Sequence, residues 1–295
     1  MVYKSTGKRI FDAFNYVFLI LVCLSCILPF VHLLAVSFSS NLAVQTNAVS
    51  FWPVGFNTNS YQFAFQNGRF MTALWISIQR VGLGLLVNLL LVVLTAYPLS
   101  HNKDRLMFRN VYMGFFIFTM IFSGGLIPTF ILVSRLGLLN SLWALVLPGA
   151  LPVFSMVIFM NFIRGLPEEL QESAMIDGAN QITVLFKIMM PLLKPCIATV
   201  ALFAIVGHWN DWFSGLIYMQ DPHNYPLQTY LRFLLLRMED VMRMAGGDVA
   251  QILATMNVQS GRAAQLFMGA VPILIVYPFL QKYFTTGLVL GSVKG

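Results

Sequence analysis

The stretch NYVFLILVCLSCILPFVHLLAV, residues 15–36, carries no Asp, Glu, Lys or Arg, and its reading decides the fold class. A helix rises 1.5 Å per residue, so about 20 apolar residues cross the hydrocarbon core of a bilayer. The preceding segment through Arg9 is polar and basic. The run is longer than a signal-peptide core of about 7–15 residues, and no small-residue cleavage site closes it. It reads as a first transmembrane helix that the mature chain keeps.

Outward from that run, five more apolar stretches follow at 81–99, 111–133, 143–163, 197–218 and 264–284. Of the 295 residues, 58% are hydrophobic and 10% charged, against about 25% charged in an average soluble domain. A soluble chain of this size would lack the polar surface to cover its core. A β-barrel would show short alternating segments in place of long apolar runs. The expectation is an all-α membrane protein of six transmembrane helices, one domain over 1–295. Extended connections at 37–80 and 219–263 lie on one side, and a conspicuous segment at 164–195 lies on the other.

Orientation follows from the basic residues. With both termini inside, the inner face holds 11 of the 18 Lys and Arg residues. Four of the seven outer ones, Arg232, Arg237, Arg243 and Arg262, share one long connection. Long loops translocate largely regardless of charge, so the short connections decide, and both termini are expected in the cytoplasm. The +7 net charge is scattered and makes no nucleic-acid patch. Cys23 and Cys26 have the spacing of a redox pair, yet in a lipid-spanning helix they read as small packing residues. No metal-binding or catalytic constellation is expected.

The inner segment RGLPEELQESAMIDGAN, residues 164–180, reads as a helix with defined ends. Pro167 suits a first helical position, and Glu168 and Glu169 complement the positive end of the helix dipole. Gly178 permits the stop, and Asn180 can cap a second helix that Pro191 helps to end. The alternative is an ordinary amphipathic surface helix with a solvated acidic face.

These residues resemble the cytoplasmic signature of inner-membrane permeases of binding-protein-dependent ATP-binding-cassette importers. That signature is Glu-Ala-Ala, three residues, Gly, nine residues, Ile, one residue, Leu-Pro. Here it runs Glu172-Ser173-Ala174, Gly178, Ile188, Met190-Pro191, with Ser173 and Met190 as the departures. Asp177 within Ile176-Asp177-Gly178-Ala179 resembles the sugar-importer branch, similar to the smaller permease of the maltose transporter. So do Trp209-Asn210-Asp211 and the tail Gly291-Ser292-Val293-Lys294-Gly295. The tail together with Gln281-Lys-Tyr-Phe looks closest to permeases of the polysaccharide and alginate type.

The resemblance implies a type I importer permease whose inner segment is a coupling helix seated on an ATPase. Glu172, Ser173, Ala174, Asp177, Gly178, Ile188 and Pro191 would carry that contact, and the tail would reach the interface between two ATPase subunits. It further implies a second permease subunit, an extracytoplasmic solute-binding protein and the bacterial inner membrane. The chain lacks GxxxxGK[ST]: Gly7-Lys8 is followed by Arg9 and has no upstream glycine. ATP and Mg are therefore expected on the partner ATPase, with no cofactor in this subunit and no enzyme activity of its own.

Substrate-pathway candidates are Arg80, Trp209, Asn210, Asp211 and Trp212. Asp211 is the one acid within the expected spans, where a charge costs about 2.5–3.5 kcal/mol on insertion scales. The tryptophans can stack on sugar rings, or form an aromatic belt beside a polar cluster that holds helices together. Arg80 can snorkel to the interface or meet an acidic sugar. Pro128 after Gly124-Gly125 is expected to loosen the third span. The surplus of outer cations favours an oligosaccharide of uronic-acid type over a neutral one. An ion-coupled secondary transporter is the rival, for which a single intramembrane acid is a thin endowment.

Overall fold

The computed structural model describes residues 6–66, 68–101, 106–244 and 258–292. Among them the regular structure is helical throughout, with no strand. Among the described residues three helices are long and apolar enough to cross a membrane, and three further pairs of helices, each bent at a short break, raise the number to six if each pair is one span. The chain divides into two compact units. One is Met1–Met71 with Phe233–Val271, and the other is Thr72–Arg232 with Pro272–Gly295.

In the first unit the helix Thr6–Ser37 contains the whole opening apolar run. None of its apolar window is buried within the chain, so that surface is left for lipid or another subunit. Cys23 and Cys26 lie on it as free, exposed thiols. The following segment is more ordered than a loop. Ser40 caps the short helix Asn41–Gln45 by accepting from the Ala43 amide, and Ala35, Ala43, Val44 and Val49 pack together beneath it. The Tyr61 hydroxyl meets Ser37 Oγ at 2.8 Å, and burial pushes that phenol above its ordinary pKa.

The second span begins well before residue 81. Its helix is Gly68–Ser100. Arg69, Thr72, Ser77, Gln79 and Arg80 hide this extension from a hydropathy reading. The buried positions are nevertheless Phe70, Ala73, Ser77, Arg80, Gly84 and Asn88, the 3–4 spacing of one helix face.

Glycine, not proline, breaks the third span. The helices Arg109–Ile121 and Leu126–Arg135 meet at 109°, across a turn where Gly125 has φ +87°. Pro128 lies in the first turn of the second helix, where its missing N–H costs nothing. The fourth span is likewise two pieces, Leu142–Gly149 and Val153–Arg164, bent by 54°.

The fifth span differs most from expectation. Its helix Lys194–Asn210 stops at Asp211, and a separate short helix covers Phe213–Tyr218. The connection at 219–263 also holds structure: Leu227–Met244 is one helix, and the final helix starts at Val258. Leu227, Tyr230 and Leu231 are buried on one side of the former, a polar amphipathic helix that no apolar run announces. Residues 245–257 of that connection, with Asp248, lie outside the described residues.

The core of the second unit lies where the second, fourth and fifth spans meet the inner segment. Val92, Ala96, Met156, Phe159, Val184, Met189, Cys196 and Val200 are buried there within one apolar cluster.

Candidate functional site

The inner segment is built by two capping devices. Its first helix is Glu169–Ile176. Beyond it the Gly178 N–H bonds the Met175 carbonyl at 3.0 Å and the Ala179 N–H reaches back to the Ala174 carbonyl at 2.9 Å. This paired closure is a Schellman motif, and it requires the left-handed φ of +84° at Gly178. Two residues later Asn180 Oδ1 accepts from the Thr183 amide at 2.8 Å and starts the helix Gln181–Leu192. Residues 184–189 of that helix form a wider π turn. A break at Leu193 bends the chain by 83° into Lys194–Asn210.

Within this turn Ala174 is buried while Glu172, Ser173, Asp177 and Gly178 face outward. Ile188 is half-buried in the core and Pro191 is exposed. Two large apolar side chains flank the turn in the open, Ile176 at 86% and Ile182 at 69% exposure. The segment is tied to the end of the second span. Tyr97 donates its hydroxyl proton to Gln181 Oε1 at 2.7 Å. Arg164 donates to the Leu99 and Ser100 carbonyls, and Arg109 to Leu99. These are the terminal carbonyls of a helix, where cations are favoured by the dipole and by unmet hydrogen bonds. Of the tail, Gly291 and Ser292 close the last helix. Val293, Lys294 and Gly295 lie outside the described residues.

A second polar constellation occupies the middle of the second unit. Arg80 does not snorkel: it is 1% exposed and forms an ion pair with Asp211 Oδ2. Its guanidinium also donates to the Asp211 carbonyl at 2.7 Å and to the Leu145 carbonyl at 3.4 Å. Asp211 in turn accepts from the Ser214 amide at 3.1 Å and the Ser214 hydroxyl at 2.5 Å. The carboxylate thus caps the short helix after the break while it neutralises the buried cation.

Sequence reasoning passed over His208, Asn88 and Gly84 beside that pair. His208 Nε2 meets Asn88 Oδ1 at 2.9 Å, and Asn88 Nδ2 donates to the Gly149 carbonyl at 3.3 Å. Gly84 lies so close that an added Cβ would fall 2.3 Å from His208 Nε2. The usable signal was Asn88 itself, a lone amide within an apolar run. Arg80, Asn88, Ser155, His208, Asp211 and Ser214 line a cavity of about 270 Å³.

The two tryptophans separate. Trp209 is buried; Asn210 is exposed. Trp212 is 38% exposed, its carbonyl held by Thr229 Oγ1 at 2.8 Å. The Arg232 guanidinium carbon lies 5.3 Å from the Trp212 ring centroid, within cation–π range. Among the described residues no cluster of three or more His, Cys, Asp or Glu could hold a metal ion.

A family model described as "Binding-protein-dependent transport system inner membrane component" matches residues 90–290. The chain belongs to this family. The permease is 40% identical over 294 residues to Protein LplC of Bacillus subtilis, covering 100% of this chain and 98% of that one. It is 38% identical over 292 residues to the polygalacturonan/rhamnogalacturonan transport system permease protein YtcP of the same organism, covering 98% and 99%. A solved bacterial ABC transporter involved in the import of the acidic polysaccharide alginate contains a similar chain. The likeness has a TM-score of 0.86 at 29% identity, covering 96% of the permease and 100% of that chain.

The permease is therefore a membrane-spanning sugar ABC importer subunit and not an enzyme. Membership implies an ATPase and a substrate-binding protein as partners. It also disposes of the ion-coupled rival.

Proposed function

We propose that this subunit forms, with a second permease, the translocation path for an acidic oligosaccharide delivered by an extracytoplasmic solute-binding protein. Two ATPase subunits bind ATP and Mg beneath it, and both its termini lie in the cytoplasm. The observation that carries the reading is the inner turn from Glu169 to Gln181. It is rigidly capped at Gly178 and Asn180, anchored to the second span through Tyr97, and yet presents Glu172, Asp177, Ile176 and Ile182 outward.

Such a turn has the parts of a coupling element. Charges and exposed apolar side chains supply a docking face, and the caps stop the element from melting when pulled. The turn leads through Gln181–Leu192 and the bend at Leu193 into Lys194–Asn210, so a displacement imposed at Glu172 is passed along packed helices toward the break at Asp211. The tail, Gly291 to Gly295, joins the same interface, where glycine allows close backbone approach.

An acidic substrate draws support from the alginate transporter neighbour and from the Trp212–Arg232 pair. The indole offers an apolar face for a sugar ring, and the exposed Arg232 offers a bidentate partner for a carboxylate. Arg80 no longer contributes to that argument, since Asp211 already occupies it. The test is ATP hydrolysis by the purified complex with its binding protein, supplied with matched uronic-acid and neutral oligosaccharides. Stimulation by the uronic-acid series alone is expected; stimulation by the neutral series alone contradicts the substrate assignment.

A further inference from the structure

The connection after the first span is as free of charge as the span itself. Residues 13–68 contain no Asp, Glu, Lys or Arg, whereas about a quarter of the residues in a soluble domain are charged. Aromatics, amides and hydroxyls stand in their place: SFWPVGF at 50–56 is followed by NTNSYQ at 57–62.

Hydrogen bonds fix where this loop lies. His32 Nδ1 donates to the Ser50 carbonyl at 2.7 Å, since a carbonyl only accepts. Farther along, the Val54 amide donates to Ser39 Oγ at 3.0 Å. The Ser40 amide donates to the Val54 carbonyl at 3.0 Å and the Asn57 amide to the Phe38 carbonyl at 2.9 Å. Gly55 permits this close approach: its φ is +65°, and an added Cβ would fall 2.8 Å from Ser40 Oγ. The loop is thus strapped along the end of the first helix, from His32 to Ser40. His32 lies four residues, about 6 Å of helix rise, inside the end of the apolar run at Val36. Residues 50–57 therefore occupy the depth at which hydrocarbon gives way to headgroups.

At that depth the loop presents aromatic side chains. Trp52 is 82% exposed, Phe56 68% and Phe51 49%. Phe56 stacks on Phe38 with ring centroids 5.3 Å apart. Aromatic rings concentrate at membrane interfaces, where an apolar body and a wet edge are both accommodated.

We propose that residues 50–57 are a lipid anchor. Phe51, Trp52 and Phe56 enter the glycerol and upper acyl zone of the leaflet opposite the N-terminus. Their surface continues that of Thr6–Ser37, whose apolar window is not buried by any other part of this chain. Charge decides between lipid and a docked soluble protein. Patches that bind soluble proteins keep charge out of their centre but have a polar, water-facing rim; this whole connection, through Gly68, has no charge at all. The same lack of cations makes the anchor indifferent to anionic headgroups, which act on basic segments. Strapped to the helix end, the anchor sets the depth of the first span in the bilayer.

The experiment uses the complete importer with its binding protein in phospholipid nanodiscs. The photoreactive residue benzoylphenylalanine replaces Trp52 or Phe56, and the adducts are weighed after irradiation. Addition of one phospholipid mass to this subunit is expected at both positions; crosslinks to the second permease or to the binding protein in place of lipid overturn the anchor. A second measurement keeps the native side chain. The emission of Trp52, taken as the difference between wild type and Trp52→Phe, is followed in lipids brominated on the acyl chain. Loss of that emission is expected, equally in zwitterionic and anionic lipid. Emission that survives the bromine, or is lost in anionic lipid alone, contradicts the proposal.

Discussion

The buried guanidinium of Arg80, on the same helix face as Ser77, and the half-buried carboxylate of Asp211, at the break of the fifth span, form an ion pair that locks three spans together. The third partner is the Leu145 carbonyl in the bent fourth span. A buried pair of this kind is worth little against an apolar replacement, but breaking it strands a charge and costs about 3–5 kcal/mol.

It follows that single and double variants will not add. Arg80→Met and Asp211→Asn are each expected to lower the unfolding temperature of the purified subunit strongly. The double variant Arg80→Met/Asp211→Asn should recover much of the loss, although the carbonyl bonds of Arg80 remain missing. Additive losses in thermal unfolding would show that the two residues act independently.

Gly84 supplies a steric test of the neighbouring constellation. Its Cβ would land 2.3–2.7 Å from three atoms of the His208 ring, so Gly84→Ala must displace the imidazole from Asn88. Overpacking of this sort costs about 1–3 kcal/mol. Thermal unfolding should show that loss in Gly84→Ala and a partial return in Gly84→Ala/His208→Ala. A Gly84→Ala subunit as stable as wild type would place His208 elsewhere.

At Gly178 the backbone rather than the space decides. Nothing lies near an added Cβ, but φ is +84°, and a left-handed L-residue costs about 1–2 kcal/mol. Gly178→Val should therefore loosen the turn while the subunit still inserts. Gly178→Asn should be the milder change, because asparagine tolerates that region. Hydrogen exchange of the Gly178 and Ala179 amides reads this directly: faster exchange is expected in Gly178→Val, and equal protection in both variants would contradict it.

Arg232 offers a test of substrate charge that leaves the lock untouched. Replacing it with alanine is expected to reduce uptake of uronic-acid oligosaccharides in proteoliposomes by about tenfold, the worth of one exposed carboxylate contact. Uptake of any neutral oligosaccharide the system accepts should not change. Equal losses for both sugars would mean that Arg232 serves the fold around Trp212.

The legible parts of this chain were those governed by local chemistry. The uncharged run of twenty-two residues, 15–36, announced a membrane helix, and Gly178 and Asn180 announced a stop and a start that the geometry repeats bond for bond. Hydropathy failed wherever polar residues are buried. Ser77 and Arg80 are on the core face of the second helix, so counting them as polar started that helix thirteen residues late. Asp211 was readable as a costly charge, but not as a helix break, because the apolar residues on either side blur into one run. Its pairing with Arg80, 131 positions away, is a long-range contact that no local pattern encodes. The helix Leu227–Met244 escaped for the complementary reason, being polar enough to pass for a loop.

Coupling through the inner turn is the central claim, and ligand-stimulated ATP hydrolysis by the complete complex tests it most directly. Glu172 is exposed and lies outside the core. With Glu172→Arg, the subunit is predicted to insert and assemble in the membrane, while stimulation of ATP hydrolysis by the loaded binding protein falls to the basal rate. Stimulation at the wild-type level in that variant contradicts the account.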